Sequence, residues 1–421
     1  MQKVAVVGGG PGGLTFAFEL LKNNRSVQID LFNADGFIGG LASNSRQFAD
    51  IEMFYHHIFK SDKSIRKLCK ELNFSISWKR LPVFNLYDSQ ALSSADSAKG
   101  LIDQLGFTSF IRLLFGVIMV KITPRSFWMS KDMEVYLSAV FGKKSAQSIW
   151  IPLLRQKFQA SWKEIDFAWL ASRIADRSVK LGFVEGGFGA IWNSIQHRLL
   201  TDPNFRLVKE KVSKIENVGT RVSLVSQNGK IHKDYSFVFA SSNNIFSQSS
   251  PSNGVECLIL QLAERPALSF YWLNLLGLNT NFTVFINHSL ALSNTGLEHE
   301  YGYVYLARYV PADNLKNDDR KRESIAKEQA KLDLAKIFSA NNLDTPEVLG
   351  IEYNSSHVAQ PIFAPENISH EKNKREILLS RNVFLSDMWA TFPHDRGQNY
   401  ACLNATNAAE FINDMLNLVE R

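Results

Sequence analysis

The fold is decided by residues 4–13, which read Val4-Ala5-Val6-Val7-Gly8-Gly9-Gly10-Pro11-Gly12-Gly13. The apolar run before Gly8 predicts a buried strand, and the glycine cluster directly after it predicts a tight turn. Apolar residues then recur from Leu14 to Leu21 with helical spacing, and Ser26 to Phe32 predicts a second strand. A strand, tight turn, helix and strand in this order predict the start of a Rossmann-like α/β fold.

The glycine turn has the residue types that a dinucleotide needs. Gly8 permits the tight turn, Gly10 lets a pyrophosphate approach the backbone, and Gly13 lets the helix pack closely on the strand. Pro11 and Gly12 lie at the amino terminus of the helix, whose free N–H groups and positive dipole end attract phosphates. A plain structural turn is the alternative, but the position between strand and helix favours a dinucleotide site.

The second strand ends in an amide where the dinucleotide fingerprint expects a carboxylate. Asn33 fills this place, and its side chain hydrogen-bonds ribose hydroxyls more weakly than a carboxylate does. Asp30, earlier on the strand, and Asp35, beyond it, are alternatives if the register differs. We predict that Asn33 contacts the ribose and that Asp35, which precedes Gly36, belongs to a turn.

The composition is that of a globular protein of two to three domain equivalents. The chain has 421 residues, of which 45% are hydrophobic and 21% charged, and these values exclude disordered and fibrous architectures. A net charge of +6 is too weak to indicate nucleic-acid binding. The three cysteines, Cys69, Cys257 and Cys402, are far apart, which excludes a disulfide framework and a cysteine-rich metal site.

These cysteines, together with the absence of a signal-peptide pattern, predict a reducing, cytoplasmic location. The most apolar stretch, 107–122, is interrupted by Arg112 and Lys121, and it is shorter than the ~20 apolar residues that a spanning helix needs. A peripheral membrane contact of this stretch is one interpretation, and an ordinary buried helix is the other.

The end of the chain repeats the strand and helix pattern of its beginning. Val383 to Leu385 predicts a strand, and Asn404 to Leu418 predicts a helix. We therefore predict one nucleotide-binding domain assembled from residues 1–75, 180–250 and 375–421. An inserted α+β substrate domain takes residues 76–179 and 251–374. The remaining pattern predicts helices over 101–122 and 164–180 and a strand over 205–215.

A second glycine pair follows six residues after Asn33, in the segment Gly39, Gly40, Leu41, Ala42. This pair resembles the flavoprotein superfamily of amine oxidases, protoporphyrinogen oxidases, phytoene desaturases and UDP-galactopyranose mutases, in which it lies against the phosphate and ribityl part of the flavin. The resemblance implies a GR2-type FAD-binding domain, and it changes the expected cofactor from NAD to FAD.

Three further stretches resemble the same superfamily, and they occur in the same order along the chain. Val208 to Ile215 resembles the strand that passes the adenine, with Val212 at the contacting position. Val184 to Phe188 resembles the glycine-rich turn before a helix in the oxidases and desaturases. Asn382 to Asp387, followed by Arg396 to Ala401, resembles the closing flavin motif.

The resemblance implies specific flavin contacts in the closing motif. Asp387 would face the ribityl or pyrophosphate part, and the helix start near Asn399, Tyr400 and Ala401 would face the pyrimidine end. N–H donors and a helix dipole there stabilise the negative charge of reduced flavin. Tyr400 departs from the pattern, because a small residue is common at its position.

The most distinctive short segment is Phe54 to Asp62, which contains His56 and His57. Neighbours on an extended strand point to opposite faces, and no cysteine or acidic partner is close by, so we predict no metal site. The segment resembles the His-Ile-Phe stretch of UDP-galactopyranose mutases. The resemblance implies that His57 lies beside the isoalloxazine ring, where it is a candidate proton acceptor, and His56 is the alternative.

The resemblance leaves two activities and one non-catalytic role open. The first is an FAD-dependent oxidoreductase of the amine oxidase or desaturase type, in which a small organic substrate transfers a hydride to flavin N5. The alternative is a flavin-dependent nucleotide-sugar mutase, in which reduced N5 attacks the anomeric carbon and arginines hold a diphosphate. Candidate clamps are Arg155, Arg173 and Arg308. A flavoprotein scaffold is the third hypothesis, and neither the substrate nor the oligomeric state follows from the sequence.

Overall fold

The structure is a computed structural model that describes residues 2–34, 38–48, 50–87, 91–218, 220–242, 245–246, 250–292, 300–315 and 320–419. Asp35 lies outside these residues. The strands are β1 (Gln2–Val7), β2 (Val27–Phe32), β3 (Ile76–Lys79), β4 (Val83–Tyr87), β5 (Ala91–Ser94), β6 (Leu181–Val184), β7 (Phe205–Val208), β8 (Val212–Val218), β9 (Arg221–Ser226), β10 (Ile231–Tyr235), β11 (Phe237–Ala240), β12 (Ser252–Leu262), β13 (Trp272–Leu275), β14 (Val284–Asn287), β15 (Gly302–Pro311), β16 (Val348–Pro361) and β17 (Val383–Leu385). The helices are α1 (Pro11–Asn23), α2 (Lys63–Glu71), α3 (Ala98–Leu105), α4 (Phe107–Ile122), α5 (Met133–Phe141), α6 (Lys143–Ser145), α7 (Ile151–Phe158), α8 (Phe167–Asp176), α9 (Phe188–Leu200), α10 (His288–Leu292), α11 (Arg320–Ser339), α12 (Pro365–Leu379) and α13 (Gln398–Val419).

Five parallel strands from three separated parts of the chain form one sheet. Their order is β17-β11-β1-β2-β7, and every neighbouring pair is parallel. The side chains of Val4, Ala5 and Val6 on the central strand are fully buried, as expected when helices cover both faces of a parallel sheet. Apolar residues of α1, α2, α9 and α13 share one core cluster with this sheet. The predicted Rossmann-like α/β fold is therefore confirmed.

A second sheet of seven strands has the order β16-β12-β15-β14-β13-β4-β5. All of its neighbouring pairs are antiparallel except β13 and β4. One face packs on α11 through Ala326, Ala330 and Leu334. A separate helical cluster joins α4, α5, α7 and α8 around Trp128, Phe141 and other aromatic side chains. The mixed sheet and the helical cluster add α and β structure to the parallel sheet.

Three element predictions are wrong in their boundaries. The predicted helix over 101–122 is two helices, because Gly106 between them adopts φ +76°, which a helix does not allow. The predicted helix over 164–180 is shorter: α8 ends at Asp176, and the extended Arg177 follows it. The predicted strand over 205–215 is two strands, because β7 pairs with β2 in the parallel sheet whereas β8 pairs with β9.

The interpretation of residues 107–122 as an ordinary buried helix is also wrong. Only Leu113, Gly116 and Val120 of α4 are buried, and they face the helical cluster. Large apolar side chains on the opposite side of α4, among them Phe107 and Phe115, are exposed. Within the described residues, no helix is long and apolar enough to cross a membrane.

Candidate cofactor and substrate site

The glycine turn between β1 and α1 is built so that only glycine fits at two positions. Gly8 has φ +105°, a left-handed conformation that favours glycine. A Cβ at Gly13 would lie 1.9 Å from the carbonyl oxygen of Gly8, so α1 packs on the strand end more closely than any side chain allows. Pro11 begins α1, as expected for a residue that lacks an N–H.

The second glycine pair lies directly on the first turn. The N–H of Gly39 donates to the carbonyl of Gly9 at 2.8 Å. A Cβ at Gly40 would lie 3.2 Å from the Cα of Gly10, so the two backbones are in contact. At Gly10 itself, an added Cβ would have no heavy atom nearer than 3.9 Å. The turn therefore leaves open space beside Gly10, at the amino terminus of α1, which fits a pyrophosphate.

Gly12 connects this turn with the start of the last helix. A Cβ at Gly12 would lie 3.7 Å from Cβ of Ser241 and 3.8 Å from the carbonyl oxygen of Ala401. Ala401 therefore lies beside the first glycine turn, although the two are almost the whole chain apart. Its N–H donates to the carbonyl of Gly397, so the free N–H groups at this helix end belong to the residues before it.

The structure distinguishes between the candidates for the ribose-binding residue. Asn33 lies beside the turn, where its side-chain oxygen accepts the N–H of Gly9 at 3.3 Å. Asp30 is buried and accepts two hydrogen bonds from Arg206, at 2.8 and 2.7 Å, and one from Tyr235 at 2.7 Å. Asp30 is thus used within the fold, and Asn33 is the candidate that contacts the glycine turn.

The other predicted cofactor contacts lie in two environments. Gly40, Leu41 and Ala42 form one turn of 3-10 helix, in which Ala42 is buried while Leu41 lines a cavity. Val212 begins β8, and its side chain is buried in the core cluster that contains Val7 and Phe32. Only the backbone of Val212 is therefore available to a ligand, as the resemblance implies.

Asp387 follows β17 and is buried. One carboxylate oxygen accepts the N–H of Trp389 at 3.1 Å, and the other has no hydrogen-bond partner among the described residues. Burial, together with the neighbouring charge of Glu371, raises the pKa of Asp387 to about 6, against the opposing effect of Arg375. A buried carboxylate with one unpartnered oxygen fits a hydroxyl-bearing ligand such as a ribityl chain.

One cavity of about 200 Å³ brings together residues from eight parts of the chain. Its lining contains Leu41, the histidine segment, the carboxyl half of α8, Tyr309 on β15, and the residues around the start of α13. The lining residues are Leu41, Phe54, Tyr55, His56, His57, Ile58, Phe59, Asp62, Lys157, Arg173, Asp176, Val255, Trp272, Tyr309, Asp395, Arg396, Gly397, Gln398, Asn399 and Tyr400.

His56 and His57 both line this cavity, contrary to the expectation that they point to opposite faces. The reason is that residues 54–57 form no strand, and only Ile58 makes an isolated bridge, with Gly182. The ring of His57 packs edge-on against Phe59 and Trp272, at centroid distances of 5.3 and 6.4 Å. Nδ1 of each histidine is buried without a hydrogen-bond partner in the described part of the chain.

Both histidines are neutral at physiological pH. Burial and, to a smaller extent, the positive charges of Arg177 and Arg173 together lower the pKa of His57 to about 3. Burial also lowers the pKa of His56 to about 4, against the opposing charge of Glu52. A pKa this low makes His57 a weak general base, whereas a neutral imidazole can still donate or accept a hydrogen bond at the cavity.

The start of α13 is anchored by side chains on both sides of the cavity. Asn399 accepts the N–H groups of Ser64 and Ile65, at 2.9 and 3.3 Å, and so caps α2. The hydroxyl of Tyr400 donates to Asp176 at 2.7 Å. Asp176 also lies 2.7 Å from Nδ1 of His394, whose ring stacks on Tyr400. The unusual tyrosine at position 400 is therefore fixed by a carboxylate of α8.

Two basic side chains contact one carboxylate at the cavity, and a third contacts the neighbouring Tyr309. Asp395 contacts Lys157 at 3.2 Å and also contacts Arg173. Arg396 donates to the hydroxyl of Tyr309 at 2.7 Å. The cavity also has Asp62 and Asp176 in its lining, but these two contact Phe59, Arg125, His394 and Tyr400. The cluster of Lys157, Arg173 and Arg396 therefore has more positive charge than Asp395 neutralises, and it favours an anionic group at this side of the cavity.

The pKa values of the cluster show the same excess of positive charge. Burial alone would raise the pKa of Tyr309, but Arg396 and Lys157 outweigh it and lower the value to about 7. Burial and the neighbouring charge of Arg173 hold the pKa of Lys157 well below its usual range. An anion beside these groups would relieve the repulsion between the cations.

The sequence pattern identified one member of this cluster and missed the others. Arg173 lines the cavity as a candidate clamp. Arg308 precedes Tyr309 on β15, so it faces away from the cavity, where it pairs with Glu256 at 2.6 Å. Arg155 is exposed and lies over Trp162, two helical positions from Lys157. Neither Arg155 nor Arg308 lines the cavity. The side chains that do are Lys157, two residues after Arg155, and Tyr309, one residue after Arg308.

The comparisons with known proteins agree with this architecture. The family model of the NAD(P)-binding Rossmann-like domain matches residues 6–72. No curated protein matches the sequence.

Solved structures share the fold over nearly the whole chain. A protein from Exiguobacterium sp. 255-15 described as a protoporphyrinogen oxidase is 13% identical, with a TM-score of 0.72 over 98% of each chain. A reduced UDP-galactopyranose mutase is 12% identical, with a TM-score of 0.75 over 99% of this chain and 94% of that chain. Cyclohexylamine oxidase from Brevibacterium oxydans IH-35A is 12% identical, with a TM-score of 0.67 over 99% of each chain.

Identities this low show the fold alone. The resemblance inferred from the glycine motifs is confirmed at that level, because the oxidases and the mutase share this chain's fold.

Proposed function

We propose that this chain is an FAD-dependent oxidoreductase that acts on a small organic substrate bearing a negative charge. The observation that carries the proposal is the composition of one cavity. The cavity is lined by Leu41 and by Gly397 to Tyr400, which belong to the segments expected to hold the flavin. His57 and the cations Lys157, Arg173 and Arg396 line the same cavity. Cofactor and substrate would therefore meet in the same space.

In this proposal, the chain holds FAD along the path from the glycine turn to the cavity. The pyrophosphate would be bound by the glycine turn, which is Gly8, Gly10, Pro11, Gly12 and Gly13, and by the second pair, Gly39 and Gly40. Asn33 would bind the ribose, and the backbone of Val212 would bind the adenine. Asp387 would bind the ribityl part, and the first N–H groups of α13 would hold the pyrimidine end. The domain division, with residues 1–75, 180–250 and 375–421 binding FAD, is supported by the parallel sheet, whose strands all lie in these ranges.

When bound, FAD supplies a hydride acceptor at N5. The residues of the chain position and neutralise the substrate. Trp272, Phe59 and Tyr55 form apolar walls that exclude water, and neutral His57 offers Nδ1 to the substrate or the flavin. The positive helix end at Gln398 stabilises negative charge at the pyrimidine ring.

The charge of the cavity restricts the substrate class within oxidoreductases. A primary amine is a cation at neutral pH, and Lys157, Arg173 and Arg396 would repel it. Three carboxylates line the cavity, but Asp176 is paired with Arg125, and Asp395 is already shared by Lys157 and Arg173. A carboxylate or phosphate group would instead accept charge-assisted hydrogen bonds from the same side chains. We therefore propose an anionic rather than an amine substrate.

A flavin-dependent nucleotide-sugar mutase is the second candidate. The specific observation in its favour is again the cation cluster with Tyr309, because a nucleoside diphosphate needs several basic and hydroxyl donors at one place. The similarity to a UDP-galactopyranose mutase extends over nearly the whole chain, although at 12% identity.

Anaerobic reduction of the flavin distinguishes the two candidates. The holoenzyme is mixed with candidate substrates without oxygen, and the visible absorption of oxidised flavin is followed. An oxidoreductase loses this absorption when a substrate is added. A mutase does not, and it converts a nucleotide sugar only after prior chemical reduction. Flavin that no carboxylated or phosphorylated substrate can reduce would contradict the first proposal.

A further inference from the structure

The outer side of α4 is an apolar surface that no described part of the chain covers. Six large apolar residues of this helix are exposed, with Phe107 at 66%, Phe115 at 68% and Ile122 at 76%. The six are Phe107, Ile111, Leu114, Phe115, Ile118 and Ile122. At 3.6 residues per turn, they fall within an arc of about 100° on the helix. The arc is opposite Leu113, Gly116 and Val120, which face the core.

The segment after α4 enlarges this surface. Phe127, Met129 and Val135 are also exposed, so nine of the twenty exposed large apolar residues recorded for the described chain lie between 107 and 135. Single exposed apolar residues are ordinary on proteins, but such a concentration marks an interaction surface. We call the nine residues between 107 and 135 the α4 surface.

Basic side chains surround the α4 surface. Between residues 107 and 144 the chain has six basic and two acidic residues, a net charge of +4 out of +6 for the whole protein. On α4, Arg112 and Lys121 lie on the two sides of the apolar arc. Nζ of Lys144 would lie 3.8 Å from a Cβ at Gly106, which places it at the amino end of the arc.

We propose that the α4 surface docks the protein on a lipid bilayer rich in anionic headgroups. An apolar arc bordered by lysine and arginine is the pattern of a helix that lies in the membrane interface, with its apolar side among the acyl chains. The sixteen residues of α4 are about 24 Å long, which is shorter than the hydrocarbon core, so the helix lies on the bilayer and does not cross it.

The charge pattern disfavours a second copy of the chain as the partner. In a symmetric dimer the same surface of both copies meets, so Lys121, Lys144 and Arg112 would face like charges. Lysine is also depleted in the centres of protein interfaces, whereas anionic headgroups neutralise it.

The α4 surface lies behind one wall of the cavity. Nζ of Lys121 donates to the carbonyl of Arg177 at 3.4 Å, at the end of α8. Arg125 and Phe127 belong to the short 3-10 helix after α4. Arg125 pairs with Asp176, and Asp176 accepts a hydrogen bond from Tyr400 at the cavity. Docking would therefore bring a bilayer close to the cavity wall, whatever reaction the cavity carries out.

Vesicle sedimentation of the 421-residue protein tests the proposal. Vesicles contain either phosphatidylcholine alone or equal parts of phosphatidylcholine and phosphatidylglycerol. We expect the parent protein to bind to the anionic vesicles. The double variant Phe107→Gln with Phe115→Gln should reduce the binding constant by about tenfold or more, because two large apolar side chains no longer enter the bilayer. Lys143→Gln with Lys144→Gln reduces it by about fivefold per lysine, and only on anionic vesicles.

A matched control removes equally exposed apolar residues elsewhere. Leu332 and Ile377, at 61% and 54% exposed on α11 and α12, are replaced by glutamine and should leave vesicle binding unchanged. All these positions are exposed, so the variants fold. The proposal is overturned if the parent protein stays in solution with both vesicle types. It is also overturned if the control reduces binding as strongly, or if the α4 surface instead forms a dimer that Phe107→Gln with Phe115→Gln dissociates.

Discussion

The Gly10→Ala substitution separates cofactor binding from folding. Gly10 has φ −79° and ψ −177°, a conformation that alanine adopts without strain, and an added Cβ has no neighbour nearer than 3.9 Å. Alanine at such a position stabilises a fold by about 0.4–1 kcal/mol, because it restricts the unfolded chain. We therefore expect the FAD-free variant to be as stable as the parent protein or slightly more stable.

The same methyl group occupies the space that the pyrophosphate needs. Inserting a methyl group into a close contact typically costs about 1–3 kcal/mol, which weakens binding by about five- to 150-fold. Titration of the FAD-free protein with FAD, followed by flavin fluorescence, measures this change. Thermal unfolding of the FAD-free protein measures the stability separately.

Gly13→Ala is the matched comparison in the same turn. Its Cβ would lie 1.9 Å from the carbonyl oxygen of Gly8, so this variant should lose stability whether or not FAD is present. The reasoning is refuted if Gly10→Ala binds FAD as tightly as the parent protein, because the phosphates then do not lie against Gly10.

Three further predictions concern the cavity and the second strand. His57→Ala should keep FAD bound and lower turnover with the physiological substrate; unchanged turnover would remove His57 from the site. The pKa of Tyr309 is lowered to about 7. Between about pH 7 and 10 the folded protein therefore binds fewer protons than the unfolded chain does. Tyr309 thus stabilises the fold increasingly as the pH rises through that range. Tyrosinate absorbance should show this titration near pH 7 and shift it upwards in Arg396→Gln; a Tyr309 that titrates normally in the parent protein would contradict the cation cluster. Asp30→Asn should lower the free energy of unfolding by about 1–3 kcal/mol, because it weakens the buried contacts with Arg206 and Tyr235. The affinity for FAD should stay the same. A large loss of FAD affinity would instead assign the ribose to Asp30.

The parts of the fold that depend on local backbone conformation could be predicted from the sequence. The turn at Gly8 to Gly13 is specified by residues that are adjacent in the chain, and the structure reproduces the strand, turn and helix. Gly39 and Gly40 were recognisable for the same reason. The sequence did not show that Gly40 packs on Gly10, because that contact is set by tertiary structure.

The cation cluster could not be predicted, because its members come from three distant segments. Nothing local to Lys157 or Tyr309 distinguishes them from surface residues, and the motif that contains Arg396 does not show that its side chain joins a cation cluster. The sequence analysis named Arg308, whereas its neighbour Tyr309 lines the cavity. Neighbours on a strand face opposite ways, and only the register of β15 in the folded sheet decides which of the two faces the cavity. The histidine segment was misjudged for a related reason, since it is not a strand.

The central claim is that FAD is held by the glycine turn, the second glycine pair and the cavity together. The visible absorption spectrum of the purified protein tests this claim most directly. We predict the absorption bands of oxidised flavin, with one FAD released per chain on denaturation, and uptake of added FAD by any FAD-free fraction. A colourless protein that does not take up FAD would contradict the account.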